Sequence, residues 1–161
     1  MSPDLLFALT LLSALGCGLI GGVFYAFSTF VMKALGRIAP AGGVAAMQSI
    51  NIVVINPWFM GVFLGTALLC LVQAVQSLWR WQEPGAGCRL AGALLYLMGT
   101  ILVTTVFNVP RNDALARVDP AGAEAAVLWT RYLVTWTAWN HVRTAAALAA
   151  AAAFSVALCR T

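Results

Sequence analysis

Charge is what this sequence has least of. Only 9% of its 161 residues are Asp, Glu, Lys or Arg, against about 25% in a soluble domain. Three stretches, Leu5 to Met32, Ile38 to Trp79 and Leu90 to Pro110, carry no charge at all. Each reaches the roughly 20 apolar residues that a helix needs to cross a bilayer. With 62% hydrophobic residues and a mean hydropathy of +0.91, the composition excludes a soluble globular fold and predicts a polytopic membrane protein. Basic clusters are missing too: the nine Lys and Arg residues are scattered. No patch exists to neutralise phosphates, so nucleic acid is not an expected partner. The cysteines Cys17, Cys70, Cys88 and Cys159 form no C-x-x-C pair, and three of them lie in apolar runs, where a thiol behaves as a small hydrophobe. There is no phosphate-binding glycine loop, nucleotide fingerprint or Ser/His/Asp series. His141 is the single histidine, with few acids nearby, Asp113 and Glu124 among them. A metal centre is therefore not expected, although one histidine would suffice as an axial haem ligand.

What is present is helix. The economical reading is an all-α, integral membrane four-helix bundle forming one domain, with spans at about 5–35, 57–78, 90–107 and 132–158. The last helix begins near Pro120. The first segment lacks a basic n-region and an A-x-A-like site and is too long for an h-region, so it reads as a retained span. An additional short, partly buried helix over 41–55 precedes the second span. There Asn56 can cap a helix whose first position is Pro57. "RWQEPGAGCR" (80–89) and "NVPRNDALARVDPAGAE" (108–124) read as polar loops. Gly18-x-x-x-Gly22 and Gly61-x-x-x-Gly65 are small-residue pairs suited to close helix packing inside the bundle. A homo-oligomer through those faces is the alternative use. The loops after spans one and three hold Lys33, Arg37, Arg111, Arg117 and Arg131, and the other side holds Arg80, Arg89 and Arg160. The positive-inside rule puts the first set in the cytoplasm, with a bacterial inner membrane as the expected location.

The few polar groups gather in two knots beside the greasiest segments, "NVPRND" (108–113) and "WNHVRT" (139–144). An ionisable group within a membrane helix costs roughly 2.5–3.5 kcal/mol and marks a functional site by default. At 100° per residue, Trp129, Tyr132, Trp136, Asn140 and Arg143 form one stripe of the last helix. Thr130, Thr137, His141 and Thr144 form its neighbour. Such stripes suit a pocket for a flat, oxygenated molecule. An aromatic belt with snorkelling cations accounts for Trp79, Arg80 and Trp81, but not for Asn51, Asn108, Asn112 and Asn140. Asn108 has a second reading as a cap, because the chain is expected to leave helix before Pro110. A lone His141 satisfied by neighbouring hydroxyls is likewise the bland alternative to a catalytic one.

"GGVFYAFSTFVMKAL", "MQSINIVVINPWFM", "FNVPRNDAL" and "YLVTWTAWNHVRTAAALAA", in that order, resemble the anthrone oxygenase-like family of small four-helix membrane proteins. The resemblance implies oxidation of an anthrone-like or phenolic polycycle by dioxygen without a cofactor, as in the family's fungal members. It falls on Asn51 and Asn56, on Asn108, Pro110, Asn112 and Asp113, and on Trp136, Asn140, His141, Arg143 and Thr144. Arg111 departs from the family pattern, which has an aliphatic residue there. In that chemistry His141 would be the base and Arg143, Asn140 and Asn108 the donors to an enolate oxygen. Tyr132 and Trp136 would stack on the rings, while Asn51, Asn56, Asn112 and Asp113 would complete the substrate site. The two knots are expected to meet in one cleft, with Asn51 and Asn56 closing the same end. The expected partners are a lipophilic aromatic small molecule, dioxygen and the lipid bilayer. A non-catalytic binding protein, carrier or accessory subunit is the rival reading.

Overall fold

The computed structural model describes residues 2–160, and every regular element among them is helical. Helix α1 (Pro3–Leu35) opens on Ser2, whose hydroxyl accepts the Leu5 N–H at 3.3 Å. Helix α2 (Pro40–Val53) is the expected short helix before the second span. Asn56 then joins α2 to α3 (Pro57–Trp79): its Oδ1 accepts the Trp58 and Phe59 N–H groups at 3.1 and 3.0 Å, and its Nδ2 donates to the Val53 carbonyl at 2.9 Å. Gly85, at φ 77°, makes the left-handed turn into α4 (Ala86–Ala116). Helix α5 (Ala123–Leu158) completes the chain. The four helices α1, α3, α4 and α5 are long and apolar enough to cross a membrane, so the chain is a multi-pass membrane protein.

Helix α4 does not end before Pro110, as the sequence suggests, but runs on to Ala116. The reason lies one turn earlier. Leu97–Leu102 and Thr104–Asn108 are π-helical, and such wide turns displace the backbone hydrogen-bond register. Thr104 and Thr105 donate their hydroxyls to the Thr100 and Ile101 carbonyls at 2.7 and 3.0 Å. Side-chain hydroxyls of this kind satisfy backbone groups that have no water to turn to. Pro110 then falls in the first turn after the π-helical segment, where its missing N–H is tolerated. The polar loop shrinks to the few residues after Ala116. Helix α1 carries a similar π-helical turn at Phe27–Val31, supported by Thr29 donating to the Tyr25 carbonyl at 2.7 Å.

Helix α5 is the central post, and glycines set how closely its neighbours approach. A Cβ at Gly99 would stand 2.4 Å from the Ala146 Cβ, and one at Gly21 would stand 2.8 Å from Leu148 Cδ2. The anticipated small-residue pairs contribute little to this packing: Gly22, Gly61 and Gly65 meet nothing within 4 Å, and Gly18 only grazes Ala151. Phe107 and Trp139 stack at 3.5 Å between ring centres, locking α4 to α5. Two apolar clusters result. One holds Ile20, Phe24, Phe63, Tyr96 and Phe154. The other holds Met32, Met47, Leu115, Trp129, Tyr132 and Trp136. Helix α2 is pinned over the second by Gln48, whose Nε2 donates to the Leu115 and Val118 carbonyls at 2.9 and 3.0 Å.

Candidate functional site

A cavity of about 290 Å³ borders both clusters and takes residues from all five helices. Its wall is mainly apolar and aromatic: Phe24 and Phe27 from α1, Met47 and Ile50 from α2, Phe59 and Phe63 from α3, Trp136 from α5. Into this wall are set Arg143, Thr104, Thr105, Asn51 and Asn112. A concave apolar site with a few convergent polar groups is the usual form of a small-molecule pocket.

Arg143 dominates its electrostatics. The residue is 5% exposed, and its guanidinium carbon lies 4.1 Å from the Phe24 ring centre and 5.1 Å from that of Trp136. Nη1 donates to Thr104 Oγ1 at 3.1 Å, Nη2 donates to Asn140 Oδ1 at 2.6 Å, and Nε has no partner. Among the described residues the ion pairs are Arg80 and Arg89 with Glu83, beyond the far end of the bundle. No carboxylate of the described residues pairs with Arg143. Two π faces and two neutral acceptors attract a cation but do not cancel its charge, and a buried unpaired charge is costly. The site is therefore poised for an anionic oxygen.

Asn140, fully buried, holds this cation in place instead of lining the cavity. Its Nδ2 donates to the Phe24 carbonyl at 2.8 Å and to Ser28 Oγ at 2.7 Å, which turns Oδ1 toward Arg143. Ser28 in turn shares a hydrogen bond with Thr144 at 3.1 Å. The polar residues at the π-helical turn of α1 thus brace the floor of the site.

At the other end Asn112 Oδ1 accepts from Tyr132 Oη and from Trp136 Nε1, both at 2.8 Å. Asn108 is 1% exposed and donates to the Trp136 carbonyl at 3.2 Å. Asn108 and Asn112 thus bond Trp136 and Tyr132, which precede the second knot on α5, and not Asn140 or His141 as expected; of the two knots, Asn112 and Arg143 share the cavity wall. Tyr132 stacks between Trp129 and Trp136 at 5.6 and 5.9 Å, behind the cavity wall. Arg111 donates to the Phe107 carbonyl and to Thr135 Oγ1, a brace between α4 and α5.

Three expected site residues stand apart. His141 is exposed and lines an outer groove with Lys33, Arg37, Leu133 and Val134. The stripe of Trp129, Tyr132, Trp136, Asn140 and Arg143 turns inward, and His141 is one residue, or about 100°, around the helix from Asn140. Asn56 spends its side chain on capping. Asp113 is exposed beside an outer groove that shares Asn51, Ile55, Val109 and Asn112 with the cavity. Conversely, Phe24, Met47, Phe63 and Thr104 were not singled out from the sequence. The threonine pair in "VTT" was its one available signal, a polar doublet inside an apolar run.

Among the described residues no three His, Cys, Asp or Glu side chains gather as a metal site would require. A family model described as anthrone oxygenase matches residues 58–153, more than half of the chain. The chain belongs to the anthrone oxygenase family. The match runs from the start of α3 into α5 and so includes Thr104, Asn108, Asn112, Trp136, Asn140 and Arg143, while Phe24 and Asn51 lie ahead of it. No curated protein and no solved structure matches the chain.

Proposed function

We propose that the chain is a membrane oxygenase that captures the enolate of a lipophilic anthrone-like or phenolic aromatic and delivers it to dioxygen, with no resident cofactor. The observation that carries this reading is Arg143, a buried cation without a counter-ion in an apolar cavity. A C–H bond on the ring carbon opposite the substrate carbonyl breaks, its proton leaves, and its electron pair delocalises through the aromatic rings to give an enolate whose oxygen faces the guanidinium. The carbon end donates that pair to dioxygen, forming a C–O bond, and protonation gives a hydroperoxide. Loss of the second C–H proton and cleavage of the O–O bond then yield a new carbonyl and water. One dioxygen is consumed for each carbonyl and each water formed. A preorganised donor set in a dry site stabilises such an oxyanion far better than water does.

No carboxylate, imidazole or amine lines the cavity. The proton accordingly passes to water at the mouth, and Arg143 drives ionisation by stabilising the anion. Asn140 and Thr104 position Arg143, Asn108 braces Trp136, and His141 has no part in the step. The same lack of a base favours the rival reading, a binding protein or carrier for the same class of anion.

One experiment separates the two. Protein in nanodiscs, with chelator present, is given anthrone while oxygen uptake and quinone absorbance are followed together. The oxygenase reading expects one oxygen consumed per quinone formed, and a loss of about 10²–10³-fold in Arg143→Leu, the usual cost of removing an oxyanion stabiliser. Binding of anthrone with no oxygen uptake above that of empty nanodiscs would leave only the carrier.

A further inference from the structure

The cavity has a second polar end that the reaction above does not use. An indole N–H can only donate, so the contact with Trp136 Nε1 fixes which atom of the Asn112 amide faces α5: it must be Oδ1. The Tyr132 hydroxyl donates to the same oxygen. The Asn112 Nδ2 is thereby turned away from α5, and it makes no hydrogen bond to any described residue. Across the cavity on α2, Asn51 has a buried Nδ2 that makes no hydrogen bond of good geometry, with the Tyr132 hydroxyl as a polar neighbour. Two amide donors thus border one cavity, Asn51 Nδ2 buried and Asn112 Nδ2 on a half-buried residue open to the cavity and the outer groove. A buried donor left unmatched, as at Asn51, is rare enough to call for a cause.

These amides make no hydrogen bond to Arg143: Asn112 bonds the Trp136 indole N–H, whereas the guanidinium lies over the same indole, 5.1 Å from its ring centre. Charge differs between the ends as well. Arg143 calls for an anion, whereas neutral amides suit a carbonyl or an un-ionised hydroxyl. Asn51 and Asn112 also border the outer groove, so the neutral end of a ligand would lie nearer the cavity mouth.

We infer that Asn51 and Asn112 form a second oxygen-binding subsite, and that the ligand is an aromatic with oxygen functions at both ends, ionised at Arg143 and neutral at the amides. This rests on the reading of the cavity as the substrate site. It makes Asn112 a specificity-determining residue, with Tyr132 and Trp136 as the positioning residues that aim it.

The test compares 2-naphthol with 2,6-dihydroxynaphthalene, which differ by one distal oxygen, in anaerobic equilibrium dialysis against protein in nanodiscs. Wild type should prefer the dihydroxy ligand by about tenfold, the ratio expected from one good hydrogen bond. Asn112→Asp, which keeps the oxygen that accepts from Tyr132 and Trp136 but loses the amide donor, should abolish that preference while keeping 2-naphthol affinity within about twofold, so that 2-naphthol binding reports an intact cavity. Asn51→Leu gives an independent second variant, with the same loss expected. Equal binding of the two ligands by wild type would overturn the subsite, as would a preference that survives in both variants. In either case retained 2-naphthol binding would leave the proposed function standing; no binding of either ligand would remove both.

Discussion

A guanidinium held between Phe24 and Trp136, with Thr104 and Asn140 as its only acceptors among the described residues, is a buried cation with no counter-ion among them. Its planar fork meets both acceptors at once, which a point charge on a flexible stem does not reproduce. Arg143→Lys should therefore fold yet lose at least about 10²-fold in turnover, measured as quinone formation per folded protein. His141 makes the contrasting case. Exposed on the outer face beside Lys33 and Arg37, its replacement in His141→Ala should leave turnover within about twofold. A loss of activity comparable to that of Arg143→Lys would show that the base does act from that face. Arg143, Asn140 and Trp136 were legible in the sequence because a polar stripe at helical spacing in an apolar run must find partners. His141 faces an outer groove and not the cavity, which the sequence does not announce because periodicity orders residues around a helix but does not say how wide the buried face is. Asn56 was legible as a cap, from its place before Pro57, and that role consumes the atoms a ligand would need.

At the level of the helix, the cavity exists because α1 and α4 both widen beside it. The π-helical turns at Phe27–Val31 and Thr104–Asn108 carry the residues that flank Arg143 and Trp136. Four apolar helices and a short fifth could be read from charge-free runs and the "NPW" signal. The length of α4 could not, because a proline normally ends a helix and nothing in a residue pattern announces a π-helical register. The packing glycines were equally hidden, since spacing of four marks any small-residue pair whether or not a neighbour fills the gap. Gly99→Ala should destabilise the bundle markedly, because its new Cβ meets Ala146 at 2.4 Å on a rigid helix, whereas Gly61→Ala meets nothing within 4 Å. Thermal unfolding in detergent should show a clear drop for the first and little change or a slight rise for the second. Equal melting temperatures would mean that α4 and α5 do not approach as described.

For the molecule as a whole, an even number of spans puts both termini on one side of the membrane. The basic residues Lys33, Arg37, Arg117 and Arg131 lie toward the opposite end, and the expectation from the positive-inside rule is that this end faces the cytoplasm. A membrane-impermeant maleimide applied to intact cells should then modify exposed Cys159 and leave buried Cys17 and Cys70 untouched; labelling of Cys159 only after lysis would reverse the orientation. The central claim is that Arg143 makes this cavity an anion trap for a flat aromatic, and it can be tested without turnover. The measurement is the absorbance titration of 2-hydroxyanthraquinone bound in nanodiscs, where the phenol and phenolate differ in colour. A cation beside the oxygen favours its ionised form, so the bound dye should ionise at a pH lower by about one unit or more than in empty nanodiscs. In Arg143→Leu that displacement should vanish while the dye remains bound. A dye that binds wild type yet titrates as it does in empty nanodiscs would contradict the account.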